Sequence, residues 1–143
     1  MDMQLVMPTR YTDVLFEAPG AEYTTLTERR ERVFALICEF QRAVAQPQGL
    51  NEAIGVLQAI LPSSRAYFSA VESLLDKITA AGAAPHRDEH RRILAEMKGT
   101  LDQCAAPGAK PIAADLAHAL DALVIHEATI RLRGSPELAS SCR

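Results

Sequence analysis

From residue 25 onward the apolar positions recur at intervals of three, four and seven, the period of a helix that buries one face. Leu26, Val33, Ile37, Phe40 and Val44 form the first run, between a capping-box pair (Thr25 and Glu28) and the breakers Pro47 and Gly49, which predicts a helix starting at Thr25. A second run carries Leu50, Ile54, Leu57, Ile60 and Leu61, then Phe68, Val71, Leu74, Leu75 and Ile78, and ends at Ala81 and Gly82. Pro62 lies inside it and, lacking an N–H, is expected to kink or restart the helix. Pro85 suits a first helical position, and His86, His90, Ile93, Met97 and Cys104 then trace one stripe as far as Pro107 and Gly108. Pro111 opens a fourth helix in the same way, with Leu116, Ala119, Leu123, His126 and Ile130 as its stripe and Gly134, Ser135 and Pro136 as its stop.

Four helices with short connections predict an all-α fold, an antiparallel up-down-up-down four-helix bundle spanning residues 25–134. Residues 1–24 mix Pro8, Pro19 and Gly20 with scattered apolar positions such as Leu5, Val14 and Phe16, and read as an extended N-terminal arm. Residues 135–143 read as a polar C-terminal tail, and the chain shows no internal repeat and no low-complexity segment.

Composition narrows the class. A chain of 143 residues can bury one core without staples, and 48% hydrophobic against 23% charged residues is a globular balance. Trp is absent and aromatics make up 5%, which favours helices over sheet. The net charge is −3 and no basic block stands out, so a nucleic-acid partner is not expected. No apolar run has the length of a membrane span and the N-terminus lacks a basic-then-apolar leader, which together point to the cytoplasm. Cys38, Cys104 and Cys142 are odd in number and far apart, a pattern that fits reduced thiols. Oligomeric state and any small ligand or protein partner stay open at this stage.

The chemistry concentrates in the histidines. Residues four apart lie about 40° apart around a helix axis, so His86 and His90 can present two imidazoles to one point. His126 occupies a stripe position on the fourth helix, and a bundle would bring it to the same interior. Three inward imidazoles can bind a transition metal and leave coordination positions open, and they can equally be core histidines bonded to carbonyls or carboxylates. The run His86-Arg87-Asp88-Glu89-His90 lacks the Glu that a zincin needs directly after its first His, which excludes that enzyme class. A phosphorelay His would need Lys-Gly close behind, and Met97-Lys98-Gly99 is too far from His90. His118 lies off the stripe and reads as solvated. No phosphate loop, nucleophile elbow or Cys-His pair at metal spacing is present.

From Thr25 to Gly134 these residues resemble the hemerythrin family of cation-binding bundles, which hold two irons with five histidines, a Glu and an Asp and bind dioxygen reversibly. The family's first-helix run, like DEQHKRLF, is matched in phase by residues 27–34, with Arg30 where a His ligand belongs. Its HFxxEE motif is matched by residues 67–72, with Tyr67 for the His and Val71 for the bridging Glu. The HxxxH of the third helix is kept as His86 and His90; on the fourth, His126 is kept and Arg131 stands at the position of the bridging Asp. The resemblance thus implies a degenerate member with three ligands retained and four replaced, at Arg30, Tyr67, Val71 and Arg131. It implies at most one iron or zinc ion on His86, His90 and His126, or none, and no di-iron oxygen chemistry.

Arg30 shares its stripe with Leu26, Val33 and Ile37, where an unpaired guanidinium would be very unfavourable. It either snorkels outward or pairs with a carboxylate, with Glu72, Glu89 and Glu127 as candidates, and contacts Tyr67. If Arg131 also faces inward, the two cations oppose a divalent ion. Two functions follow: a mononuclear three-histidine module for metal binding or small-ligand sensing, with Tyr67, Glu72 or Glu127 as an extra ligand or outer support, and a metal-free interaction or regulatory protein whose cavity is plugged by Arg30 and Tyr67. An enzyme using the metal as a Lewis acid ranks below both, since only Glu72 and Glu127 are at hand as a general base.

Overall fold

A computed structural model describes residues 20–131 of the chain, and side chains within residues 24–128. Five helical segments follow one another: α1 (Gly20–Val44), α2 (Leu50–Ile78), α3 (Ala84–Ala105), α4 (Ala113–His118) and α5 (Asp121–Arg131). The last two are pieces of the fourth helix, so the described residues are all-α, with four helices and no strand.

The boundaries differ from expectation in three places. α1 starts at Gly20 rather than at Thr25, because Ala21–Thr24 contain no breaker and helix propagates back through a capping pattern that is only local. The rest of the expected arm (1–19), the 135–143 tail, the predicted stop at Gly134 and the side chain of Arg131 lie outside the described residues. α2 is a single element that runs through Pro62 without restarting, and packing along its buried face outweighs the missing N–H. The fourth helix is interrupted: the N–H of Ala119 donates to the carbonyls of both Asp115 and Leu116, and that of Leu120 to Ala117. This tightens one turn before Val124 donates to Leu120 and ordinary helix resumes.

Two glycines allow the short connections. A Cβ on Gly49 would sit 2.0 Å from the Ala43 carbonyl oxygen, so only Gly lets α2 begin so close to the end of α1. Gly82 has φ of +65° beside Asp76, whose carboxylate accepts the Ala83 N–H at 2.8 Å and tethers the start of α3 to the end of α2.

The core follows the stripes. Leu26, Val33, Ile37 and Phe40 of α1 pack with Leu57, Ile60, Phe68 and Leu75 of α2, Ile93 and Met97 of α3, and Leu116 and Leu123 from the fourth helix, all essentially without exposure. α1 packs most extensively on α2, α3 lies on α2, and α5 meets α3 and α4. Cys104 is a partly buried free thiol, whereas Cys38 is disulfide-bonded, contrary to the expectation of reduced thiols. Sequence spacing does not report which cysteines a fold brings together. Among the described residues no helix is long and apolar enough to cross a membrane.

Candidate metal centre

α3 carries His86 in its first turn and His90 one turn later, and α5 carries His126. The three rings converge. Their centroids are 5.3 Å (His86–His90), 5.2 Å (His90–His126) and 5.9 Å (His86–His126) apart, and one ligand atom from each lies within 4.8 Å of the others. Nitrogens around a tetrahedral zinc-sized ion sit about 3.4 Å apart, so a closure on the order of 1 Å per pair would bring all three onto one ion and leave the remaining position open.

Each ring has a distinct setting. His90 is stacked on Phe68 with centroids 3.9 Å apart and planes within 2°, and its Nδ1 lies 2.8 Å from Glu72 Oε2. Arg87 reaches the other oxygen of Glu72 at 3.5 Å and grips Asp76 at 2.7 Å, so a charged chain runs from His90 to the surface. His126 meets the edge of Phe68 at 6.0 Å, with its Nδ1 4.0 Å from Glu89, a carboxylate already held by Arg92 at 2.9 Å.

Burial sets the protonation. It pushes His90 down to about 4, with the charge of His86 adding to the effect and Glu89 opposing it. His126 is likewise pushed down to about 4, by burial and then by His90 and His86. His86 is lowered by burial, against the pull of Glu72 and Glu89. Clustered imidazoles held toward the neutral form, one of them backed by a carboxylate, are what a borderline transition metal requires, and these residues therefore fit such an ion.

Next to this cluster lies a second one. Glu127 is fully buried, accepts a hydrogen bond from the Tyr67 hydroxyl at 3.3 Å to either carboxylate oxygen, and lies 3.6 Å from Arg30 Nε. The Arg30 guanidinium also sits 4.3 Å over the Phe34 ring. Burial raises the Glu127 carboxyl to about 7 against the charge of Arg30 and the Tyr67 hydrogen bond, and it raises the Tyr67 phenol well above its ordinary value. Of the three candidate partners for Arg30, Glu127 meets it; Glu72 and Glu89 instead lie beside His90 and His126. Val71 is buried in the apolar core.

Sequence reasoning read Phe68 as a core residue and missed its stacking on His90. The four-residue step from Phe68 to Glu72 puts both on one face of α2 and was the available signal. The part played by Arg87 was also missed, since it reads as one charge of a solvated run.

No protein-family model, no curated protein and no solved structure matches the chain.

Proposed function

We propose that the chain is a hemerythrin-like, antiparallel up-down-up-down bundle that holds one transition-metal ion, iron or zinc, on His86, His90 and His126. It works as a metal-binding or small-ligand-sensing module and not as a di-iron dioxygen carrier. The observation that carries this reading is the convergence of three imidazoles from two helices within 4.8 Å. Short connections between long helices support the antiparallel arrangement. A three-histidine ion supplies Lewis acidity and open coordination positions that solvent or a small ligand can fill. Tyr67 and Glu127 bond to each other, which favours solvent over either as the next ligand.

Elemental analysis of untagged protein tests the proposal. Close to one iron or zinc per chain, lost in a His90→Gln/His126→Gln variant, is the expected result. Less than about a tenth of a metal per chain, unchanged by added iron or zinc in the growth medium and with no uptake of Zn(II) by the purified protein, overturns it.

That second outcome would favour the other reading, a metal-free interaction or regulatory protein. The specific observation behind it is the Arg30–Glu127–Tyr67 cluster, a fixed ion pair and phenol that fill the bundle beside the histidines.

A further inference from the structure

Glu72 and Glu89 are the two carboxylates nearest the histidine cluster, and they stand in different relations to it. Glu72 makes a short contact, 2.8 Å from Oε2 to His90 Nδ1, whereas Glu89 stays 4.0 Å from His126 Nδ1 and is committed to Arg92. A carboxylate oxygen only accepts, so this contact requires the proton of the neutral imidazole to be on Nδ1. The lone pair is then on Nε2, across the ring from Glu72 and free for the cluster. Phe68, parallel to the ring at 3.9 Å, fixes the plane in which that lone pair lies.

We infer that Glu72 is a positioning residue: it locks His90 in the Nδ1–H tautomer and so makes His90 the preformed ligand around which His86 and His126 close. The inference rests on the metal-binding reading for its consequence, and on the hydrogen bond alone for the tautomer. Glu72 is itself held from outside, because Arg87 spans its second oxygen and Asp76, and Asp76 is anchored to the backbone of Ala83 at the start of α3. The carboxylate therefore has few orientations to lose when a metal arrives. A hydrogen-bonded carboxylate behind a ligating imidazole fixes its orientation and raises its basicity, and removing such a partner typically weakens metal binding about 10- to 100-fold. Glu89 contributes charge from 4.0 Å but does not hold a ring, so the two residues separate positioning from general electrostatics.

The test has two arms. In metal-free protein, long-range proton–nitrogen spectra of the histidine side chains should show His90 protonated on Nδ1, with the preference lost in Glu72→Leu, which removes the acceptor; a proton on Nε2 in the native chain overturns the inference. In the second arm Co(II) is titrated into the native chain, Glu72→Gln, Glu72→Asp and Glu89→Gln, with affinity and the visible spectrum as readouts. Glu72→Gln should bind about 10- to 100-fold more weakly, Glu72→Asp should recover part of that loss, and Glu89→Gln should change affinity by no more than about threefold. Equal losses at Glu72 and Glu89 would reduce Glu72 to one more negative charge and overturn its positioning role. If the native chain takes up no Co(II), the metal-binding function falls, and the tautomer arm still decides what Glu72 does. Glu72 is partly exposed, so the Gln variant is expected to fold, and its circular dichroism melt checks that.

Discussion

At the scale of single residues the Arg30–Glu127 pair sets the sharpest expectation. Glu127 has no exposure, and removing one partner of a buried pair costs about 3–5 kcal/mol because the other charge is stranded. Arg30→Met should therefore destabilise the fold by about 3 kcal/mol at pH 8 in urea unfolding. The loss should shrink at pH 5, where a carboxyl already raised to about 7 takes up a proton. Arg30→Met/Glu127→Leu should recover most of it. Equal or higher stability of the single variant at pH 8 would show that the buried pair is not needed. Sequence alone could say that a guanidinium on the stripe of Leu26, Val33 and Ile37 wants a carboxylate. It could not choose among Glu72, Glu89 and Glu127, since periodicity fixes which way a residue faces and not its height against neighbouring helices. The same limit hid the Phe68–His90 stack, because an aromatic on an apolar stripe has a sufficient explanation in the core.

At the scale of elements, long periodic runs were legible and their ends were not. The four helices and most of their buried faces follow from spacing, whereas the early start of α1, the passage through Pro62 and the break between α4 and α5 were each settled by packing or by a single tightened turn. Gly82 is a place where local chemistry does decide. Its φ of +65° and the 2.6 Å approach of a built Cβ to the Asp76 carboxylate make Gly82→Ala unfavourable by about 1 kcal/mol or more, measurable as a lowered melting temperature. Metal should act on another element. Because His86 and His90 belong to α3 and His126 to α5, an ion that draws the three nitrogens together joins the two helices. Zn(II) should therefore slow amide hydrogen exchange across α5 more than across α1, and uniform protection of both would argue against a link at His126.

For the whole molecule the histidines and Glu127 pull stability in opposite directions with pH. His90 and His126 have folded values near 4 against an ordinary value near 6.5, so the unfolded chain binds more protons between those limits and stability falls as the pH drops through them. Glu127 has the reverse sign, since its raised value favours the folded state as pH falls from 7 toward 4.5. Two imidazoles outweigh one carboxyl, and a net loss of about 2 kcal/mol is expected for metal-free protein between pH 7 and 4.5. Denaturant unfolding across that range measures it, and His90→Gln/His126→Gln should flatten or reverse the slope.

His126 and Glu127 are consecutive, about 100° apart around α5, and each serves a different cluster, the imidazole beside α3 and the carboxylate with Arg30 of α1 and Tyr67 of α2. The two clusters are thus set by one rotational phase, fixed where the chain tightens at Ala119 and Leu120. Inserting a single residue there would turn the imidazole toward the guanidinium and carry the acid past it, and deleting one would turn the acid toward the histidines and carry the imidazole away, so the bundle has no way to lose one cluster's register and keep the other's.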